Sequence, residues 1–171
     1  MPAKLPSIVW DTCVILDALQ RTPGRFERIE PFIRAAEKRQ IKIVVSEITV
    51  AEVTHLPKLN NGTATVDEQE DAICRWFCNE FIVRRTVHPG ISERARQVRR
   101  ECPQVKRVGD TVFLATALFE GLPMVHTFDE NLLALDGKIG NPGLKIREPD
   151  IYDGTMFAAP QTQTGPQTGT P

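Results

Sequence analysis

Four acidic residues stand where a parallel sheet would expose them. Asp11 ends the apolar run Ile8, Val9, Trp10; Glu52 lies in SEITVAEVTHL just beyond the run IKIVV; Asp110 opens GDTVFLATALFEG; and Asp129 follows Thr127 at the end of the run PMVH. In open α/β sheets ligands bind outside the carboxyl ends of the strands, so acids at those ends are placed for chemistry. Drawn close together they would repel and raise one another's pKa values unless cations sat among them. Hard divalent ions with oxygen ligands, Mg2+ or Mn2+, are the natural neutralisers. Magnesium in turn is bound through a few carboxylates plus substrate phosphates and serves phosphodiester cleavage.

Each acid also has a structural reading. Asp11 and Thr12 both suit the N-cap of a helix over CVILDAL, Asp110 suits the cap of the helix it opens, and Asp129 suits a cap or turn. Glu52 is expected between Ile48 and Leu56, its neighbours one turn away on a helix over 47–56, where a carboxylate pointing inward needs a partner. The alternative is a glutamate snorkelling at the edge of an apolar stripe. Singly, each acid leaves both readings open. Together, three strand ends and one buried helix would bring four carboxylates to one rim.

The elements that must position them follow from periodicity. Short runs rich in Val and Ile predict strands at 7–10, 41–45, 81–84, 123–126 and 144–147. Helical patterns fill the gaps at 25–39, 47–56, 67–79, 92–101, 110–120 and 130–135. That alternation implies βαβ units and a parallel sheet covered on both faces. Residues 57–66 (PKLNNGTATV) read as a loop. From about Phe157 the chain is low in complexity and rich in Pro, Gln, Thr and Gly, with nothing to bury. One domain over 1–153 and a disordered tail over 154–171 are expected.

Bulk composition excludes more than it selects. An apolar fraction of 41%, a charged fraction of 25% and a net charge of -1 describe an ordinary globular chain. The opening residues lack a secretory signal, and acids interrupt the most apolar runs, so no membrane association and a cytoplasmic location are expected. Cys13, Cys74, Cys78 and Cys102 show neither a disulfide framework nor a zinc pair, and His55, His88 and His126 show no ligand spacing. Reduced structural thiols are the expectation.

Charge distribution is less ordinary. Residues 84–107 hold eight Lys or Arg against two acids, a balance of +6 that leaves -7 for the rest. On a helix from Ser92, Arg96, Arg99 and Arg100 share one face, and the chain then passes Lys106 and Arg107 to reach Asp110. Such a face could steer phosphates toward the acids, or simply be solvated. There is no aromatic interleaving, and Trp76 and Phe77 read as core.

The order DTCVILDAL, SEITVAEV, GDTVFLATAL, TFDENL, each after its own strand or on a late helix, resembles the PIN-domain ribonucleases, including the VapC-like toxins of type II toxin–antitoxin pairs. The likeness covers residues 7–150 or so. It implies a three-layer α/β/α sandwich with a central parallel sheet, and a metal site made of Asp11, Glu52, Asp110 and Asp129. Thr12 and Thr127 take the places of the family's supporting hydroxyls. Also implied are Mg2+- or Mn2+-dependent endoribonuclease activity on RNA, a homodimer, and a protein antitoxin lying over the acidic groove. The further acids Asp17, Glu47, Glu130 and Asp136 leave the fourth ligand open, with Glu130 the fallback for Asp129. The competing reading is a non-catalytic RNA-binding or scaffold module on the same fold. A phosphoryl-aspartate enzyme is disfavoured because Cys13 stands where a second Asp would be needed.

Overall fold

The computed structural model describes residues 5–150, so the low-complexity tail lies outside the described residues. Five parallel strands form one sheet: β1 (Ser7–Trp10), β2 (Lys42–Ser46), β3 (Ile82–Arg85), β4 (Met124–His126) and β5 (Lys145–Arg147), in the order β3-β2-β1-β4-β5. Each lies within a residue of the sequence expectation. Alternation along the strands separates two faces. Ile8, Trp10, Ile43, Val45 and Ile82 pack with α1 (Thr12–Gln20), α2 (Phe26–Glu37) and α4 (Val66–Phe77), while Val9, Val44 and Val125 pack with α5 (Pro89–Glu101) and α6 (Val108–Phe119). Both faces are thus covered, as an all-parallel sheet requires. This is the expected three-layer α/β/α sandwich.

The chain builds outward from β1 through β2 to β3, then returns to place β4 on the other side of β1. The reversal makes the β1/β4 junction the topological switch point, where flanking connections diverge and leave a crevice at the carboxyl ends. Trp10, fully buried and stacked on Trp76 at 6.3 Å, anchors the last residue of β1 before the chain turns into Asp11. Phe77 is buried in the same cluster, so both residues belong to the core as expected.

Several helix boundaries differ from the expectation. α5 begins at Pro89 rather than Ser92, a proline being well suited to the first helical turn, and the helix predicted over 130–135 ends at Leu133. Two further differences bear on the site. The helix predicted over 47–56 stops early: α3 spans Glu47–Glu52, and Val53 leaves helical geometry at ψ 83. Pro57 disfavours helical backbone at Leu56, and the Leu56 N–H donates to the Gln69 side chain at 2.7 Å rather than to its own helix. The start of α6 comes two residues sooner than predicted, with Arg107 rather than Asp110 at its N-cap. Asp110 therefore sits inside the first turn. Within residues 57–66, Leu59–Gly62 makes a tight turn whose two central residues, Asn60 and Asn61, are left-handed. A short α7 (Glu130–Leu133) follows β4. Among the described residues no helix is long and apolar enough to cross a membrane.

Candidate functional site

Asp11 leaves β1 at the switch point with its N–H donating to the His126 carbonyl of β4 at 3.1 Å. Its carboxylate is 6% exposed and accepts three hydrogen bonds: from the Thr12 N–H at 2.6 Å, the Cys13 thiol at 3.1 Å and the Thr127 hydroxyl at 2.7 Å. Asp11 caps α1, so its structural reading is correct as far as it goes. Burial nonetheless outweighs those bonds and raises its pKa above the ordinary value.

Glu52 reaches the same place by another route. Because α3 ends at Glu52, the residue is not held between Ile48 and Leu56 on a helix face; it is exposed, and only Leu56 is buried. The continuous helix expected to residue 56 is therefore corrected, while the carboxylate still turns toward other elements of the protein. Its carboxylate accepts a hydrogen bond from the Thr12 hydroxyl at 2.6 Å, which ties the end of α3 to the start of α1. On its other side Oε1 lies against the backbone of Gly109, so closely that a Cβ there would collide with the carboxylate.

Asp110 follows Gly109 in the first turn of α6, where the helix dipole favours an anion. Its carboxyl is nevertheless raised to about 6, first by burial and then by the charges of Asp11, Asp129 and Glu52, against the opposing pull of Arg107. The four acids thus share one electrostatic neighbourhood. Asp129 caps α7 by accepting from the Asn131 N–H at 2.8 Å, and its own N–H donates to the Thr127 hydroxyl at 3.0 Å. Thr127 therefore joins Asp11 to the Asp129 backbone. The cap reading of Asp129 is therefore correct, and the cap occupies one carboxylate oxygen.

The remaining acids have other employment. Arg84 binds Glu47 bidentately at 2.8 and 2.7 Å and holds its carboxyl below the usual range. Asp17 pairs with Arg25 at 2.8 Å, and Asp136 accepts from the Ile146 N–H at 2.8 Å. Glu130 is exposed in the first turn of α7.

Two residues of the site escaped the sequence reading. Cys13 was assigned to the structural thiols, yet it donates to Asp11 Oδ2 and accepts from the Phe128 N–H at 3.3 Å. Burial and the adjacent Asp11 charge push the thiol up to about 12, so it stays protonated and serves as a donor. Its position two residues after Asp11 was the available signal. Gly109 was the other, and a glycine inside an otherwise bulky buried helix marks a close approach. All four cysteines are free thiols, and Cys74 and Cys78 are exposed.

Of the basic residues, Arg96, Arg99 and Arg100 are exposed on α5, and Lys106 and Arg107 are exposed in the link to α6. His88 at the start of α5 meets Phe119 at the end of α6, with ring centroids 4.7 Å apart, so the two helices run antiparallel and the basic end of α5 returns toward Asp110.

For a metal, the donor set fits in kind: hard carboxylate oxygens, with Asp110 raised first by burial and then by the neighbouring acids. Among the described residues, however, no three His, Cys, Asp or Glu side chains are drawn closely enough together to form a ready ligand group. Thr12 and Thr127, with the α7 cap, hold carboxylate oxygens on local donors instead.

Comparison with known proteins places this geometry. Residues 8–138 match the family model described as PIN domain. No curated protein matches the chain. Among solved structures, VapBC2 from Rickettsia felis, bound to a DNA fragment from their promoter, is similar with a TM-score of 0.62 and 13% identity, covering 84% of this chain and 99% of that chain. VapC20 of Mycobacterium tuberculosis, a sarcin-ricin loop cleaving toxin, gives 0.56 and 15%, covering 72% and 90%. DNA-bound VapBC from Salmonella typhimurium gives 0.56 and 16%, covering 85% and 98%. At these identities the likeness is one of fold.

Proposed function

We propose, from the PIN domain family to which the chain belongs, that this protein is a metal-dependent endoribonuclease acting as the toxin of a toxin–antitoxin pair. The observation that carries the reading is the gathering of acids at the switch point: β1, β2 and β4 are neighbours, Thr12 ties Glu52 to the turn after Asp11, Thr127 ties Asp11 to the Asp129 backbone, and Glu52 rests against Gly109 next to Asp110. These four acids would hold Mg2+ or Mn2+. A bound divalent ion would supply charge neutralisation, activation of water and stabilisation of the leaving oxygen.

The chain's own residues do the arranging. Thr12 fixes Glu52, Thr127 and Cys13 fix Asp11, and Gly109 leaves room for Glu52 beside Asp110. Arg96, Arg99, Arg100, Lys106 and Arg107 would hold RNA phosphates. RNA as substrate is supported by the VapC20 neighbour, a sarcin-ricin loop cleaving toxin. A protein antitoxin as partner is supported by the toxin-antitoxin complex from Klebsiella pneumoniae among the similar structures. A homodimer is part of the same reading, with exposed Val108 and Phe119 at the two ends of α6 available for apolar contact.

Incubation of single-stranded RNA with the protein and Mg2+ or Mn2+ should yield fragments. EDTA and Asp11→Asn should each abolish them. Fragmentation that persists at the wild-type rate in the Asn variant would overturn the assignment, and RNA binding without turnover in the wild type would identify a binding module instead.

A further inference from the structure

Among the described residues the arginines of the basic segment at 84–107 have no aromatic partner, but a second group of arginines does, and it borders the acids from the opposite side. The turn between α1 and α2 and the first turn of α2 carry Arg21, Arg25 and Arg28. The Arg25 guanidinium lies 4.6 Å from the centroid of the Phe128 ring, and that of Arg28 lies 5.7 Å from the same ring. Arg21 repeats the arrangement over Phe26 at 5.4 Å.

Phe128 is what ties this group to the site. It sits between Thr127, which donates to Asp11, and Asp129, and its backbone N–H donates to the Cys13 sulfur that also holds Asp11. Phe128 and its two arginines therefore stand next to the acids.

We infer that Arg25, Arg28 and Phe128 form a single-stranded RNA subsite beside the acid cluster, in which stacked guanidinium groups take a phosphate and a base face. The inference rests on the ribonuclease reading above. Arginine is suited to this because its planar group stacks on an aromatic ring while its N–H fork remains directed at phosphate. Stacking on Phe128 also fixes the guanidinium groups before RNA arrives, which reduces the ordering cost of binding.

Existing ion pairs do not consume the group. Arg25 pairs with the nearly buried Asp17 through one nitrogen at 2.8 Å, and its side chain stays 47% exposed. Arg28 meets Glu148 at 2.8 Å with both side chains more than a third exposed, a surface pair of the kind that contributes little and exchanges readily. The Asp17 pair explains why a planar cation is held here at all: it anchors one edge of Arg25 while Phe128 supports its face.

The test measures binding of a fluorescently labelled single-stranded oligoribonucleotide by anisotropy, with every chain carrying Asp11→Asn so that no cleavage intervenes. Phe128→Leu and Arg28→Gln should each raise Kd about five- to tenfold, and Arg28→Gln should lower the slope of log K against log salt by about 0.7. Arg25→Lys keeps the Asp17 pair and the charge but loses the planar stack, and should weaken binding while the thermal midpoint is preserved. If wild-type protein cleaves RNA while all three variants bind as tightly as their parent, the subsite is refuted and the nuclease reading stands. If the wild type neither binds nor cleaves RNA, both fall.

Discussion

Gly109 shows how a residue without a side chain can govern the placement of a carboxylate. It occupies the second position of α6, buried, with the Glu52 carboxylate seated against it. Alanine would suit the helix better by about 0.5–1 kcal/mol, yet its methyl group would evict the carboxylate from Thr12 and from the neighbourhood of Asp110. Gly109→Ala should therefore keep or raise the thermal midpoint while cleavage falls by about 100-fold, the cost of misplacing a catalytic group by roughly an ångström. Cleavage at the wild-type rate in a well-folded variant would show that Glu52 needs no such seat. Cys13 acts in the same way from the other side, donating a proton it does not readily lose.

At the scale of elements, the α5 and α6 pair converts a charge run into a surface. Val98 packs into the core with Phe113 and Leu114 of α6, and Arg96, Arg99 and Arg100 are left exposed. Phosphate contacts of this kind are additive and sensitive to salt. Replacing all three arginines by Gln should weaken RNA binding and lower the salt slope by about 2, measured by anisotropy across a salt series. The fold should change little, because exposed charges near a helix C-terminus contribute only about 0.3–1 kcal/mol each. An unchanged slope would make this face a merely solvated one. Helix boundaries were the least legible feature at this scale: α3 ends early because Pro57 and Gln69 act on Leu56 from outside the helix, and periodicity records neither.

For the molecule as a whole, the acid cluster is a store of instability. Asp110 titrates at about 6 in the folded chain, against an ordinary value of 3.8. Between those values the folded state binds more protons than the unfolded state, so stability falls as pH rises from about 4 to about 6 and the cost persists at neutrality. Asp110→Asn should remove that slope and, without divalent ions, raise stability at pH 7. Two pKa units would be about 2.7 kcal/mol, and screening at a half-exposed carboxyl reduces this to about 1 kcal/mol. Denaturant unfolding at pH 4 and pH 7 in EDTA measures it. An Asn variant no more stable than the wild type at pH 7 would mean that burial and the neighbouring acids impose no cost on the Asp110 charge.

The sequence by itself determined that strands rich in Val and Ile alternate with helices, and that acids follow three of those strands, because both are properties of neighbouring residues. It therefore disclosed Asp11, Glu52, Asp110 and Asp129 as candidates, and the resemblance to PIN domains added the hydroxyls of Thr12 and Thr127. Only the tertiary structure decided that β4 lies against β1, which brings Thr127 onto Asp11, and that Gly109 meets Glu52. It alone placed Arg25 and Arg28 over Phe128. Contacts between residues so far apart along the chain depend on strand order and helix packing, and these are settled by burying the whole core rather than by any local preference.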